Sequence, residues 1–487
     1  MATRGQFHRH IGLLWALLVA LVGLPIEAQP RPTTSQNQVF LPILLGPALP
    51  PNPFGFDVRT YSRDEVVSYA SAANPRWVRA GDVSWAAVEP VRGGGYRWEA
   101  LAELEANIRR LRAAGVEPTL VVQQSPDWAQ RVPGRLCSAM QPEYVGDFAR
   151  FMGALVARYA EGPLAVNYWE IWNEPDFAPQ QVKDSDGMGC WADAALPYHG
   201  GAYYGEVLKQ VYPAVKAANP RAVVLAGALA YFWPDDTVSQ AFLRGILASG
   251  AGNAFDMLSF HAYGEWGAGD LLINKTARIR QILSEFNLAD KPLFATEIAA
   301  TCGSNSEASC TPNFEQWKQH QANYAARIYA EAIALDLKGA LWYTLALIKP
   351  GFQFSQLIDD EDGTLVPRPA YYAFRNSAEL LQGARYVGPP VREPPPDQID
   401  KVQVLTFRKA NSTIGNGPST LYVLWVPKLD MPNSAYRLTV APGATAICAQ
   451  SIQAEQLYRF YCSDTNGDGV IWLAINSFPK YVEVLDQ

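Results

Sequence analysis

From Phe54 onward the chain repeats one unit eight times: a short run rich in β-branched and aromatic residues, then an amphipathic helical stretch. The strand candidates are Phe54–Val58, Arg76–Ala80, Pro118–Gln123, Ala165–Trp172, Ala222–Ala226, Phe255–His261, Pro292–Glu297 and Ala340–Leu345. Helical patterns lie between them, such as Trp98–Ala114, Glu143–Ala160, Tyr203–Ala218, Leu272–Phe286 and Phe314–Leu337, and a last helix is expected near Tyr371–Leu381. Such alternation is the pattern of parallel βαβ units. Eight pairs over roughly 330 residues suit a closed (β/α)8 barrel, the TIM-barrel form of the α/β class, with some long loops. An open doubly wound sheet is the structural rival, but no G-x-G-x-x-G follows the first strand and no Walker-type phosphate loop occurs. In a barrel the chemistry lies at the carboxy-terminal ends of the strands, so polar residues there are the ones to weigh.

Outside this repeat the composition changes. Residues 1–28 carry Arg4, His8, Arg9 and His10 ahead of the apolar run Ile11 to Gly23, with Ile26-Glu27-Ala28 as a small-residue cleavage site, the layout of a secretory signal. The run of about 13 apolar residues falls short of the roughly 20 needed to span a bilayer. Residues 29–52, rich in Pro, Thr, Ser and Gln, read as a tether, and residues 53–386 hold the barrel. "VGPPVREPPPDQID" (Val387–Asp400) is a proline-rich joint that cannot continue a helix. In residues 401–487 the short runs Val402–Phe407, Leu421–Val426, Tyr436–Val440, Ala444–Cys448, Leu457–Cys462 and Val470–Ile475 are consistent with a small β-sandwich. Asp464 to Gly469 opens like a calcium loop, but the twelfth position is Ile475 where such a loop needs glutamate, so a hairpin turn is the expectation.

The 487 residues are 49% hydrophobic and 18% charged, enough for a large core and two folded units. With a net charge of −7 and no basic stripe, no nucleic-acid partner is expected. Six cysteines fit an oxidising destination. They allow fifteen pairings, but Cys302 and Cys310 flank one short loop and Cys448 and Cys462 lie close together, which leaves Cys137 with Cys190. No C-x-x-C or H-E-x-x-H motif occurs among these cysteines and the five histidines, so neither a catalytic zinc nor another cofactor is expected.

The stretch "NYWEIWNEPD" (Asn167–Asp176) ends the fourth strand, delivering Asn173 and Glu174 to the barrel rim before Pro175 stops the strand. The seventh, "KPLFATEIA", delivers Glu297 to the same rim. Strands three apart in a ring of eight can set their terminal side chains opposite one another across a narrow mouth. Opposed carboxylates are what glycoside cleavage demands, one to protonate the departing oxygen and one to attack the anomeric carbon or activate water. Neighbouring tryptophans suit a sugar, whose C–H face stacks on indole while its hydroxyls need polar partners. Arg79, expected at the end of the second strand, is the cation to hold Glu297 ionised, or else a structural partner for Glu170.

Together with "WAAVEPVRGGGYRW" (Trp85–Trp98), "SPDWA" (Ser125–Ala129) and "YYGEVLKQVYPAVKAANP" (Tyr203–Pro220), these motifs make most of residues 54–385 resemble clan A of the glycoside hydrolases, retaining enzymes on (β/α)8 barrels. The likeness leans towards family 39 and its exopolysaccharide-degrading relatives, with family 5 as competitor. The resemblance implies Glu174 as acid/base, Glu297 as nucleophile, Asn173 as the partner of the sugar's 2-hydroxyl, and Tyr263 of "SFHAYG" as a donor to the nucleophile. His261 is the second candidate on the sixth strand, either in the site or satisfied in the core. Trp342 is the expected platform under the reacting ring unless Tyr343 faces inward in its place. Trp85, Trp128, Trp191 and Trp266 are candidate subsite surfaces. The expected activity is secreted, cofactor-free, retaining hydrolysis of a β-linked glycan. A non-catalytic carbohydrate-binding protein and a transglycosylase are the alternatives.

Overall fold

The computed structural model describes residues 52–486, apart from 59–62, 184–186, 231–236, 266–270, 302–312, 347–353, 393, 429–431 and 451. The expected signal peptide, all of the tether except Asn52, the Cys302–Cys310 pair and Trp266 lie outside the described residues.

Eight parallel strands close a barrel in chain order: β1 (Phe54–Asp57), β2 (Trp77–Ser84), β3 (Glu117–Gln123), β4 (Tyr168–Ile171), β5 (Val223–Leu229), β6 (Met257–Glu265), β7 (Leu293–Thr301) and β8 (Leu337–Tyr343). Each is followed by a helix: α1 (Asp64–Ala72), α2 (Ala102–Ala113), α3 (Val145–Arg158), α4 (Gly201–Ala218), α5 (Thr237–Ala248), α6 (Leu271–Glu285), α7 (Phe314–Ala334) and α8 (Pro369–Leu380). Strands such as β3, buried from Pro118 to Gln123, carry apolar side chains on both faces because one faces the lumen and the other the helices. An outer helix such as α3 buries one stripe, turning Val145, Phe148, Met152, Leu155 and Val156 inward, with Asp147 in its first turn and Arg158 in its last, the signs the helix dipole favours.

The lumen is filled in layers. At the amino-terminal end Trp77, Leu225, Phe294 and Leu341 form an apolar plug. Gly55 is required beside it, because a Cβ there would meet Leu341 at 2.3 Å and the Trp77 carbonyl at 2.7 Å. Above the plug comes a charged layer centred on Arg79, and above that the mouth. Arg79 therefore sits inside β2, which runs on past it to Ser84 through a bulge between Arg79 and Asp82, where Gly81 has φ 135°.

After β8, β9 (Ile358–Glu361) and β10 (Thr364–Pro367) form a hairpin, turned at Asp362 and Gly363 with φ 50° and 87°. The carboxy-terminal strands are β11 (Arg385–Tyr386), β12 (Gln403–Lys409), β13 (Ser419–Trp425), β14 (Ser434–Thr439), β15 (Ala446–Gln450), β16 (Tyr458–Tyr461), β17 (Val470–Ile475) and β18 (Lys480–Leu485). Six of them make a sheet ordered β11-β12-β13-β18-β15-β16, and β14 pairs with β17. Alternation gives this sheet two apolar faces. Leu405, Phe407, Leu421, Val423 and Tyr481 join the barrel's core, and the Tyr481 hydroxyl donates to the Ala326 carbonyl of α7 at 2.6 Å. Leu424, Val482, Val484 and Cys448 instead pack with Leu438, Ile471, Leu473 and Ile475 of the β14–β17 pair. The described residues form one compact unit. Cys448–Cys462 and Cys137–Cys190 are both bonded, the latter joining the loops after β3 and β4.

The hairpin expected at Asp464–Gly469 is corrected: β16 and β17, which that segment connects, belong to different sheets. The Asp464 carboxylate accepts the N–H groups of Gly443, Gly467 and Gly469, which folds the segment into a tight crossing loop. Among the described residues no helix is long and apolar enough to cross a membrane.

Candidate active site

At the end of β4 the backbone leaves the extended region abruptly, with Trp172 at φ 71° and Glu174 at φ 49°. Non-glycine residues rarely adopt such values unless the surroundings hold them. Here the Gly189 N–H donates to the Asn173 carbonyl at 2.9 Å and the Glu174 N–H to Ala228 at 3.2 Å. Trp172 is fully buried, its indole N–H on the Gly189 carbonyl at 3.0 Å and its ring edge-on to Trp191. Asp176 is also fully buried, accepting the Ala230 N–H and the Ser239 hydroxyl. Burial outweighs these bonds and pushes its carboxyl up to about 6.

The guanidinium of Arg79, 1% exposed, gathers the charged layer. Its Nη1 reaches Asp57 Oδ2 at 3.1 Å, its Nε and Nη2 reach Glu170 Oε2 at 2.9 and 2.7 Å, and its Nη2 donates to Asn173 Oδ1 at 2.6 Å. It also donates from Nη1 to Glu297 Oε1, while the Tyr263 hydroxyl donates to Glu297 Oε2. Both oxygens of Glu297 are thus held by protein donors. Burial, with the Glu297 charge behind it, raises the Tyr263 hydroxyl well above 10, so it keeps its proton and stays a donor.

His261 lies between the two glutamates, with Nδ1 2.7 Å from Glu174 Oε1 and 3.5 Å from Glu297 Oε2. Burial alone would lower its pKa, but the nearby Glu297 and Glu174 carboxylates outweigh burial and leave it raised above 6.5. Its Nε2 is buried with no hydrogen-bond partner. One ligand atom each from Glu174, His261 and Glu297 lie within 4.8 Å of one another. A metal could use that spacing, but it would have to share oxygens of Glu297 that already accept from Arg79 and Tyr263.

Six of the seven residues singled out in the sequence, Arg79, Asn173, Glu174, His261, Tyr263 and Glu297, therefore converge at the mouth. Trp342 does not. It pairs across the sheet with Phe56, an outward-facing core residue, is fully buried, and donates its indole N–H to the Ser355 carbonyl at 2.8 Å, so it offers no face to a ligand. Its neighbour Tyr343 pairs with Asp57, shares the lumen side, is partly exposed, and sits edge-on to Tyr263 at 6.1 Å. Trp85 and Trp191 are core residues, and Trp128 is partly exposed against Trp85. Three site residues went unread: Asp57, Asp176 and Gln123. Gln123 has a buried Oε1 without a partner, two residues above Val121, which pairs with the lumen-facing Glu170. Asp57 and Gln123 end their strands, so the rule that found Glu174 and Glu297 would have found them too.

The closed (β/α)8 barrel is similar in fold to solved structures of glycoside hydrolases. A family 39 glycoside hydrolase from Bacteroides cellulosilyticus matches with a TM-score of 0.62 at 18% identity, over 90% of this chain and 81% of its own. A family 30 endoxylanase from Clostridium papyrosolvens matches with 0.59 at 12%, over 90% and 98%. A monomeric β-xylosidase from Caulobacter crescentus matches with 0.56 at 16%, over 90% and 96%. No family model and no curated protein matches the sequence.

Proposed function

We propose that the protein is a secreted retaining glycoside hydrolase that cleaves a β-linked glycan by double displacement, with residues 53–386 as the catalytic domain, 387–400 as a joint and 401–487 as a supporting β-sandwich. The observation that carries this reading is the pair of glutamates at the mouth, with an oxygen of Glu174 and an oxygen of Glu297 within 4.8 Å. Retaining pairs stand about 5–5.5 Å apart, whereas an inverting pair needs about 6.5–9.5 Å to admit water between them.

Glu297 is the nucleophile. Arg79 and Tyr263 hold its two oxygens as donors, which favours the charged form and aims it. Glu174 is the acid/base. Its 2.7 Å contact with His261 Nδ1 lets the two share a proton, which Glu174 gives to the departing oxygen and recovers from the water that opens the glycosyl-enzyme. With its Oδ1 on Arg79, Asn173 has its amide hydrogens available for the sugar's 2-hydroxyl. Tyr343, in place of Trp342, supplies the aromatic face beside the reacting ring. The amino-terminal signal layout and the two described disulfides support export.

The test is a 2-fluoro glycoside panel followed by peptide mapping, paired with an aryl β-glycoside screen. Label on Glu297, retained anomeric configuration, and azide rescue of Glu174→Ala as a β-glycosyl azide are expected. Inverted product, or label on another carboxylate, rejects the reading.

A further inference from the structure

A second cavity, of about 1020 Å³, lies on the flank of the barrel between α7, the proline-rich joint and the six-stranded sheet, and none of its lining residues belongs to the mouth. Interiors packed like organic crystals leave no such void, and this one has the size of a ligand pocket. Pro389, Pro390, Pro394 and Pro395 form one wall, and Leu405 and Trp425 form another, so an apolar ring face is accommodated. Asn323, Gln398 and Gln403 are distributed around these walls and can hydrogen-bond hydroxyl groups.

Two features set the charge and polarity of the occupant. Trp425 is 4% exposed, lines the cavity, and has an indole N–H with no acceptor, a buried donor that an incoming oxygen would satisfy. Its ring is fixed by Arg327, whose guanidinium lies 5.8 Å from it and forms an ion pair with Glu331 at 3.5 Å. At the rim stand Arg392 and Lys428, both exposed and neither in an ion pair among the described residues. Glu331 is the one acid in the lining. Burial, aided by Arg327, lowers His320 to about 4, so it adds no charge at neutral pH. The lining is therefore net positive.

We propose that this cavity is a non-catalytic binding site for an acidic saccharide, a glycan ring bearing a carboxylate, separate from the barrel mouth. The carboxylate meets Arg392 and Lys428, the ring lies against the proline and Trp425 walls, and a ring or hydroxyl oxygen accepts from the indole. A neutral sugar would leave the two cations unmatched, and an aromatic acid would leave the amide groups unmatched.

The experiment is isothermal titration of the full chain carrying Glu297→Ala, so that turnover cannot consume the probe. Digalacturonate and glucuronate are compared with galactobiose and 4-hydroxycinnamate at 0.05 and about 0.5 M salt. At least one uronate binds, weakens with salt, and loses about tenfold or more in affinity in the Arg392→Ala/Lys428→Ala and Trp425→Phe backgrounds. Melting curves show whether each variant is folded; should Trp425→Phe not fold, the rim variant decides. Absence of uronate binding, galactobiose or hydroxycinnamate binding equally well, or affinity unchanged in the rim variant overturns the proposal. Glycosidase assays of the rim variant in the otherwise wild-type chain separate this site from the catalytic reading, since neither outcome there alters the titration.

Discussion

At the scale of single residues, Arg79 holds the site together, because one buried guanidinium touches Asp57, Glu170, Asn173 and Glu297. Replacing it with methionine would bury three carboxylates without their cation. A loss of about 3–5 kcal/mol is expected, read as a lower urea midpoint, along with loss of turnover. Asp176 gives a pH signature. Its folded pKa of about 6 lies above the 3.8 of an unperturbed aspartate, so its contribution is full below about 3.8 and is lost as pH rises towards and through 6. His261, also raised, adds a loss at higher pH, starting from 6.5 and complete above its folded value. Stability should thus fall between pH 4 and 7, and Asp176→Asn should remove up to about 3 kcal/mol of that fall. An unchanged denaturation profile from pH 4 to 7 would contradict the buried, raised carboxyl. Tyr343 and Trp342 separate cleanly in kinetics and melting: Tyr343→Ala should weaken substrate capture about tenfold or more at nearly unchanged Tm, whereas Trp342→Ala should cost about 3–5 kcal/mol of stability.

Among the elements, the eight barrel strands were legible because each is a β-rich run bounded by helical periodicity, and each expectation overlaps a strand found. What was not legible is instructive. Of the two readings at this point, Trp342 in the lumen was preferred and Tyr343 was the alternative, and it is Tyr343 that shares the lumen side with Asp57. Counting alternation needs an unbroken pleat, and the β7–β8 pairing carries two register shifts, between Leu293 and Ala295 and between Ala295 and Ile298. β18 was missed although Tyr481, Val482 and Val484 carry apolar side chains; it contains Glu483, buried here by hydrogen bonds from Ser412, Thr413 and Ser419 that lie over sixty positions away. The convergence at the mouth was legible from strand-end glutamates and from the family resemblance that supplied Tyr263, and the Arg79–Glu170 pair was one of two partners expected for Arg79, but that one guanidinium joins Asp57, Glu170 and Glu297 at once is a property of the closed ring. The Cys137–Cys190 bond, with a separation of 53 residues, ties the loop after β3 to the strained β4 exit. Changing both cysteines to serine should cost about 2–4 kcal/mol. Loss of turnover before loss of global fold in a urea series would mark the β4 exit as the part that loosens first.

For the whole molecule, the six-stranded sheet is a middle layer, apolar on both sides, with the barrel's α7 and α8 on one face and the β14–β17 pair on the other. A chain ending at Val387 would uncover the flank of α7 around Ala326 and Arg327, where Tyr481 and Trp425 pack, and should aggregate when expressed; a soluble, fully active truncation would remove the supporting role given to residues 401–487. The order of strands in this sheet also bears on how the protein is made. β18 lies between β13 and β15, so the β12–β13 pair and the β15–β16 pair have no common edge until it arrives. During synthesis the barrel can close while the sheet waits in two halves, each with unpaired strand edges and uncovered apolar faces. Growth temperature and chaperones should accordingly govern the yield of this protein through the interval before β18 emerges, with the barrel itself already folded.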